Sequence, residues 1–308
     1  MVMRPALIAL TDELRRLKAD GVKTISVSAA TVAALRQAVA VRRQVTDTAA
    51  VIPKPVGEPP AAVRSEPPAS VRPATGGAKV SAREPTLPPP PEVVLPTGDK
   101  ATRWAALKEL VAQHPVCRDR VRTGKQVVLG TGNLDAKIFF CGEAPGAEEE
   151  VQGEPFVGPA GQLLTRMIRG MGLDRTDVYI GNIMNWRPDL PTPPGGEQVG
   201  NRPPTEEEMA FCLPILRAQL EIVNPDLIVA LGATAAQGLL GFGSFKTLGE
   251  VRGRWTAFAG KPVMVTYHPS YILRNPSNRS KRAIWQDLLQ VMERAALPIS
   301  EKQRGFFL

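Results

Sequence analysis

Three short segments of this chain gather side chains that could do chemistry. Gly142-Glu143-Ala144-Pro145-Gly146 runs on into Glu148, Glu149 and Glu150. Asn182 opens Asn182-Ile183-Met184-Asn185-Trp186-Arg187-Pro188, and further along stands His268-Pro269-Ser270-Tyr271-Ile272-Leu273-Arg274. Together they offer carboxylates, a side-chain amide, an imidazole, and glycines that let backbone approach a ligand closely. Such a set suits hydrolysis or group transfer on a polar ring. A carboxylate meets positive charge or orients water, and neutral donors meet the negative charge that develops opposite.

The charge of the chain narrows the partner. The formal net charge is +8 with a pI near 9.6, which favours a polyanion. Residues 251–282 carry Arg252, Arg254, Lys261, Arg274, Arg279, Lys281 and Arg282 with no acidic residue among them. A hydrolase of small nucleosides would have no use for that stretch, so a nucleic-acid substrate is preferred.

These segments need elements to hold them, and the pattern around them alternates. Lys137–Cys141 (KIFFC), Val178–Gly181, Leu227–Leu231 (LIVAL) and Val263–Tyr267 read as buried strands. Residues 160–171, 205–222, 233–240 and 279–295 read as helices, the second opened by Thr205 as cap with glutamates in its first turn. The expected fold is a three-layer α/β/α arrangement around a central four-stranded parallel sheet. In such sheets ligands bind beyond the carboxyl ends of the strands, where all three segments fall.

Upstream the composition changes. Residues 5–20 and a stretch capped by Ser28 have helical spacing, giving an N-terminal helical segment over 1–45. Between Pro53 and Pro96 lie 13 of the 30 prolines, so 46–98 is expected to be a disordered linker. The catalytic domain is assigned to 99–297 and a C-terminal tail to 298–308.

GEAPGAEEEVQGEPFVGPAGQLL (142–164) and TYHPSYILRNP (266–276) resemble the two motifs of the thermophile-type, iron–sulfur uracil-DNA glycosylases, family 4 of that superfamily. The resemblance covers roughly 115–295. It implies a base-flipping hydrolase that cuts the N-glycosidic bond of deoxyuridine in DNA and leaves an abasic site for base excision repair. Phe156 would then be the stacking platform, and Asn182 the amide pairing with uracil O4 and N3. His268 would donate to O2, Glu143 and Glu149 would orient water or stabilise the sugar cation, and Gly142 and Ala144 would shape the pocket. Ser270, Arg274, Arg252, Arg279 and Lys281 would meet the DNA, with Ile272 or Leu273 as the wedge that fills the flipped base's place. The alternatives from other classes are a uracil-DNA-binding protein with weak or no catalysis and a non-enzymatic DNA-binding module.

The chain departs from that family at the cluster ligands, which the resemblance places at Cys117, Arg120, Trp186 and Cys212. Only two are cysteines, and neither a guanidinium nor an indole ligates iron. The expectation is a lost cluster and no metal, with Cys117 and Cys212 left over.

Cys117, Cys141 and Cys212 are too far apart for a disulfide framework, and no apolar run reaches the ~18–20 residues that span a bilayer. A cytoplasmic monomer is expected. The tail ends Gln303-Arg304-Gly305-Phe306-Phe307-Leu308. Either its phenylalanines fold back onto the catalytic domain, or a mobile tail docks on a sliding clamp.

Overall fold

The structure, a computed structural model, describes residues 87–193 and 196–308. The chain divides into two units, Met1–Ala78 and Lys79–Leu308, and every described residue lies in the second. The helices expected in 1–45 and the linker up to residue 86 lie outside the described residues. Residues 87–98 form neither helix nor strand, although Leu87, Val93 and Leu95 pack partly buried against the core.

In chain order, helices α1 (Lys100–Gln113) and α2 (Pro115–Asp119) precede strands β1 (Thr131–Gly132) and β2 (Ile138–Gly142). Helices α3 (Ala147–Gln152) and α4 (Pro159–Gly170) lead to β3 (Tyr179–Asn182), and α5 (Glu206–Val223) leads to β4 (Leu227–Leu231). Then come α6 (Ala233–Leu240), α7 (Leu248–Val251), β5 (Trp255–Phe258) and β6 (Lys261–Thr266). The chain closes with α8 (Pro269–Arg274), α9 (Asn278–Arg294) and α10 (Glu301–Arg304). Asp99 caps α1 by accepting from the Thr102 N–H, and Thr205 caps α5 through the Glu208 N–H.

The sheet order is β1-β3-β2-β4-β6-β5. The inner four strands are parallel, as expected, but β1 and β5 add antiparallel edges to β3 and β6, so the sheet has six strands rather than four. The outer hairpin turns through Ala259 and Gly260, both at positive φ (48° and 75°), the twist-matched two-residue connection. Both edges are short and only partly buried, which hides them from a search for buried runs.

Both faces of the sheet are covered, which explains the continuous apolar strands. Phe139 and Cys141 of β2 pack with Leu107, Val111, Phe211 and Ile215 of α1 and α5. Their neighbours Ile138 and Phe140 point the other way, to Leu164, Ile168, Trp285 and Leu288 of α4 and α9. Three layers result, and the carboxyl ends of β2, β3, β4 and β6 open on one edge.

The tail is not a free end. Ser300 caps α10, the Trp285 indole N–H donates to the Gln303 carbonyl at 2.6 Å, and Gln303 Nε2 donates to the Gly170 carbonyl at 2.9 Å. Arg282 reaches the carbonyls of Arg304 and Phe306 at 2.7 and 2.9 Å, and the Phe306 ring stands 5.1 Å from Trp285. Of the two alternatives for the tail, the structure shows the fold-back, because its backbone carbonyls and first phenylalanine find partners on α9. No helix among the described residues is long and apolar enough to cross a membrane.

Candidate active site

A pocket of about 740 Å³ opens at the carboxyl edge and is lined by side chains from all three segments, among them Glu143, Phe156, Asn182, His268 and Arg274. Strand pairing sets the first contact. Gly142 and Asn182 are Cα partners at the ends of β2 and β3, and the Ile183 and Met184 N–H groups donate to the Gly142 and Glu143 carbonyls, each at 3.0 Å. A Cβ at position 142 would lie 2.4 Å from both Asn182 Oδ1 and the Phe156 ring, so glycine makes the slot between amide and ring. Asn182 is only 5% exposed, and its Oδ1 is buried with no hydrogen-bond partner. An orphan acceptor of this kind is costly to leave unpaired and suits a ligand that donates to it.

Phe156 is buried beneath the pocket at φ +57°, its ring 5.6 Å from the His268 imidazole and tilted by 31°. His268 caps α8: its Nδ1 accepts the Ser270 N–H at 3.2 Å and lies 2.8 Å from Ser270 Oγ. A backbone N–H can only donate, so the neutral ring carries its hydrogen on Nε2. Burial, and secondarily the positive charge of Arg274, push the His268 pKa down to about 4. The imidazole is therefore a neutral donor at physiological pH.

The two carboxylates differ. Burial raises the Glu143 pKa above the usual range, with the Thr234 hydroxyl and Arg274 acting against it. Glu149 instead accepts the N–H groups of Gly146 at 3.1 Å, Val157 at 3.1 Å and Gly158 at 3.0 Å, tying α3 to the chain beside Phe156. Its oxygens are engaged in bracing the pocket wall. Ala144 also lines the pocket.

The residues expected to meet DNA divide. Ser270 and Arg274 line the pocket and bond to each other at 3.1 Å. Ile272 is 8% exposed and belongs to the core, whereas Leu273 is 46% exposed, so only Leu273 is free to act as a wedge. Arg279 is exposed, and Lys281 lies 5.9 Å from the Phe307 ring. Arg252 is spent elsewhere: its Nη1 bonds both oxygens of the buried Asp287 at 2.9 and 2.8 Å and the Ala283 carbonyl at 3.0 Å. It clamps α9 to the sheet instead of reaching toward DNA.

Sequence reasoning missed Asn201 and Arg202, which also line the pocket. Arg187 holds that loop: its Nε donates to Asn201 Oδ1 at 2.8 Å, and Nη1 pairs with the buried Glu150 at 2.9 Å. The signal was a buried arginine just after Asn182, but its partner lay inside a segment that read as an undifferentiated Pro- and Gly-rich loop.

Among curated proteins, the chain is 48% identical over 165 residues to the Type-4 uracil-DNA glycosylase of Thermotoga maritima, covering 53% of this chain and 79% of that one. It is 40% identical over 188 residues to the Type-4 enzyme of Archaeoglobus fulgidus, covering 57% and 87%. A Type-5 uracil-DNA glycosylase of Pyrobaculum aerophilum matches at 31% over 180 residues, covering 54% and 73%.

These relatives correct the expectation of a lost cluster. Type-4 enzymes are the iron–sulfur class to which the resemblance pointed, and kinship this close runs against reading cofactor loss from two substituted positions. A substituted position says which side chain stands there, not what the folded corner retains. At that corner Cys117 and Cys212 are both fully buried, and burial pushes the Cys117 thiol up to about 12 and the Cys212 thiol well above its ordinary value. Trp186 and Phe211 meet edge to face beside them. Among the described residues, Cys117 and Cys212 are the cysteines that stand at this corner.

A model of the uracil DNA glycosylase superfamily matches residues 129–289, the span that contains the whole sheet edge and its pocket. The chain belongs to the uracil DNA glycosylase superfamily.

Proposed function

We infer that this protein is a uracil-DNA glycosylase, which hydrolyses the N-glycosidic bond of a flipped-out deoxyuridine and leaves an abasic site. The observation that carries the reading is the buried, unpartnered Oδ1 of Asn182. Uracil presents an N3–H donor beside an O4 acceptor. An amide answers with an acceptor and a donor side by side, a pattern that cytosine's edge mismatches. Phe156 offers the ring a stacking face.

As the C1′–N1 bond breaks, its electron pair moves into the uracil ring and charge builds on O2. His268, neutral and protonated on Nε2, donates to that oxygen without first having to lose a proton. Water adds to C1′ of the cationic sugar. Glu143 is the carboxylate with oxygens available to orient that water or offset the sugar charge, since those of Glu149 hold three backbone amides. Leu273 fills the gap in the stack, while Arg274, Arg279 and Lys281 supply phosphate contacts.

Catalysis is assigned to 99–297, with 1–45 and 46–98 as separate upstream segments. The reading further takes the protein as a monomer and as cytoplasmic, the latter in keeping with three buried cysteines that form no disulfide. A clamp contact would have to use Phe307 and Leu308, the exposed end of the docked tail.

The test is incubation with a uracil-containing oligonucleotide followed by alkali. Strand breaks at uracil alone support the reading. Tight but uncut binding would favour a uracil-DNA-binding protein instead, and binding blind to uracil would favour a non-enzymatic DNA-binding module.

A further inference from the structure

Phe156 occupies the left-handed region of backbone space at φ +57°, which a non-glycine residue adopts only when its surroundings enforce it. Contacts from Arg175, Gly161 and Glu149 do so. Arg175, in the turn between α4 and β3, donates through Nη1 to the Phe156 carbonyl at 3.0 Å and through Nη2 to the Pro155 carbonyl. The same Nη1 reaches Thr165 Oγ1 on α4 at 3.5 Å. Gly161, in the first turn of α4, backs against that carbonyl so closely that a Cβ there would sit 1.8 Å from Phe156 O. On the amide side, Glu149 accepts the next two N–H groups, those of Val157 and Gly158. Segment 155–158 is thus gripped by its carbonyls from one charged side chain and by its amides from another.

We propose that Arg175 is a positioning residue for uracil: its guanidinium fork clamps the Pro155 and Phe156 carbonyls and so holds the Phe156 ring as the stacking face of the pocket. Arg175 does not itself line the pocket. It acts through Phe156. A planar fork can take two neighbouring carbonyls at once, and an ammonium on a flexible stem cannot fix their geometry in the same way. Burial works against its charge and lowers its pKa, while Glu154 and Glu149 lie near enough to offset part of that. Released from the clamp, the backbone can relax toward ordinary φ and swing the ring out of parallel with a flipped base, a small displacement of large kinetic effect.

The inference rests on the glycosylase reading, and one set of single-turnover measurements on the full chain separates the two. If wild type does not excise uracil, the reading fails; if it does, the Arg175 variants decide the inference. Arg175→Ala is expected to lower the maximal rate on the order of ten-fold, with little change in the DNA concentration that half-saturates it. Arg175→Lys should recover only part of that rate. In a Phe156→Ala background, Arg175→Ala should cost nothing further, since the ring it positions is gone. Should Arg175→Ala lack a cooperative melting transition, Arg175→Lys takes its place in both backgrounds. A variant that excises at the wild-type rate, or a loss that multiplies undiminished with that of Phe156→Ala, overturns the proposal.

Discussion

Gly142 and Asn182 face each other across the ends of β2 and β3, and the absence of a side chain at 142 is what opens the space in front of the Asn182 amide. A methyl group there would meet Asn182 Oδ1 and the Phe156 ring at 2.4 Å. Gly142→Ala should therefore cost about 10²-fold or more in kcat/KM, because it displaces the reading amide and the stacking ring together. The slot is buried, so the same overpacking should lower stability by about 1–3 kcal/mol and the melting temperature with it. Circular dichroism and single-turnover excision on the same preparation check both halves.

Two groups bound activity on the acid side. Neutral His268 is the working form, and burial with Arg274 holds its pKa near 4, so the imidazole stays neutral well below the ordinary histidine range; Glu143 works ionised, and burial raises its pKa, so its protonation cuts activity first as the pH falls. Removing the charge in Arg274→Gln should shift the acid limb of kcat to higher pH. The sign is the same for Glu143, whose pKa Arg274 also lowers. Stability follows by linkage: between pH 6.5, the ordinary histidine value, and about 4, the unfolded chain binds more protons at this position than the folded one. His268 therefore makes the fold less stable as pH drops through that window, and His268→Ala should flatten that part of a melting-temperature profile while costing ~10²–10³-fold in kcat.

The carboxylates should separate by what their loss does. Glu143→Gln should lower kcat with little change in melting temperature. Glu149→Ala strips three backbone N–H groups of their acceptor and should lower stability by about 1–3 kcal/mol, with activity falling alongside. Equal effects of both substitutions on kcat with no loss of stability would return Glu149 to a role in the chemistry.

Two arginines from one basic stretch should behave oppositely. Arg279→Ala should weaken DNA binding and reduce the salt slope by about one, leaving the melt unchanged. Arg252→Ala leaves the buried Asp287 carboxylate without its guanidinium and should cost about 3 kcal/mol of stability with the salt slope intact. Fluorescence anisotropy at several salt concentrations, paired with thermal melts, distinguishes them.

The parallel core was legible because strands buried on both faces read as unbroken apolar runs: Leu227–Leu231 matches its strand residue for residue, and the Thr205 cap starts its helix. The edges were not legible. β1 spans two residues and β5 is half exposed, so neither carries a hydrophobic period. The site residues were legible as types at strand ends, but their states were not. Nothing in the sequence says that Glu149 is saturated by backbone amides, that Arg252 is consumed by Asp287 35 positions later, or that Ile272 turns inward while Leu273 stays out. Those facts depend on contacts between distant segments.

The most direct test of the account is excision by wild type and Asn182→Ala from strands that differ only in carrying uracil, cytosine or thymine. The account predicts alkali-labile sites from uracil alone with wild type, and a loss of tens-fold or more with Asn182→Ala, about 2–4 kcal/mol of transition-state stabilisation. Asn182→Ala excising uracil at the wild-type rate, or wild type leaving the uracil strand intact, would contradict it.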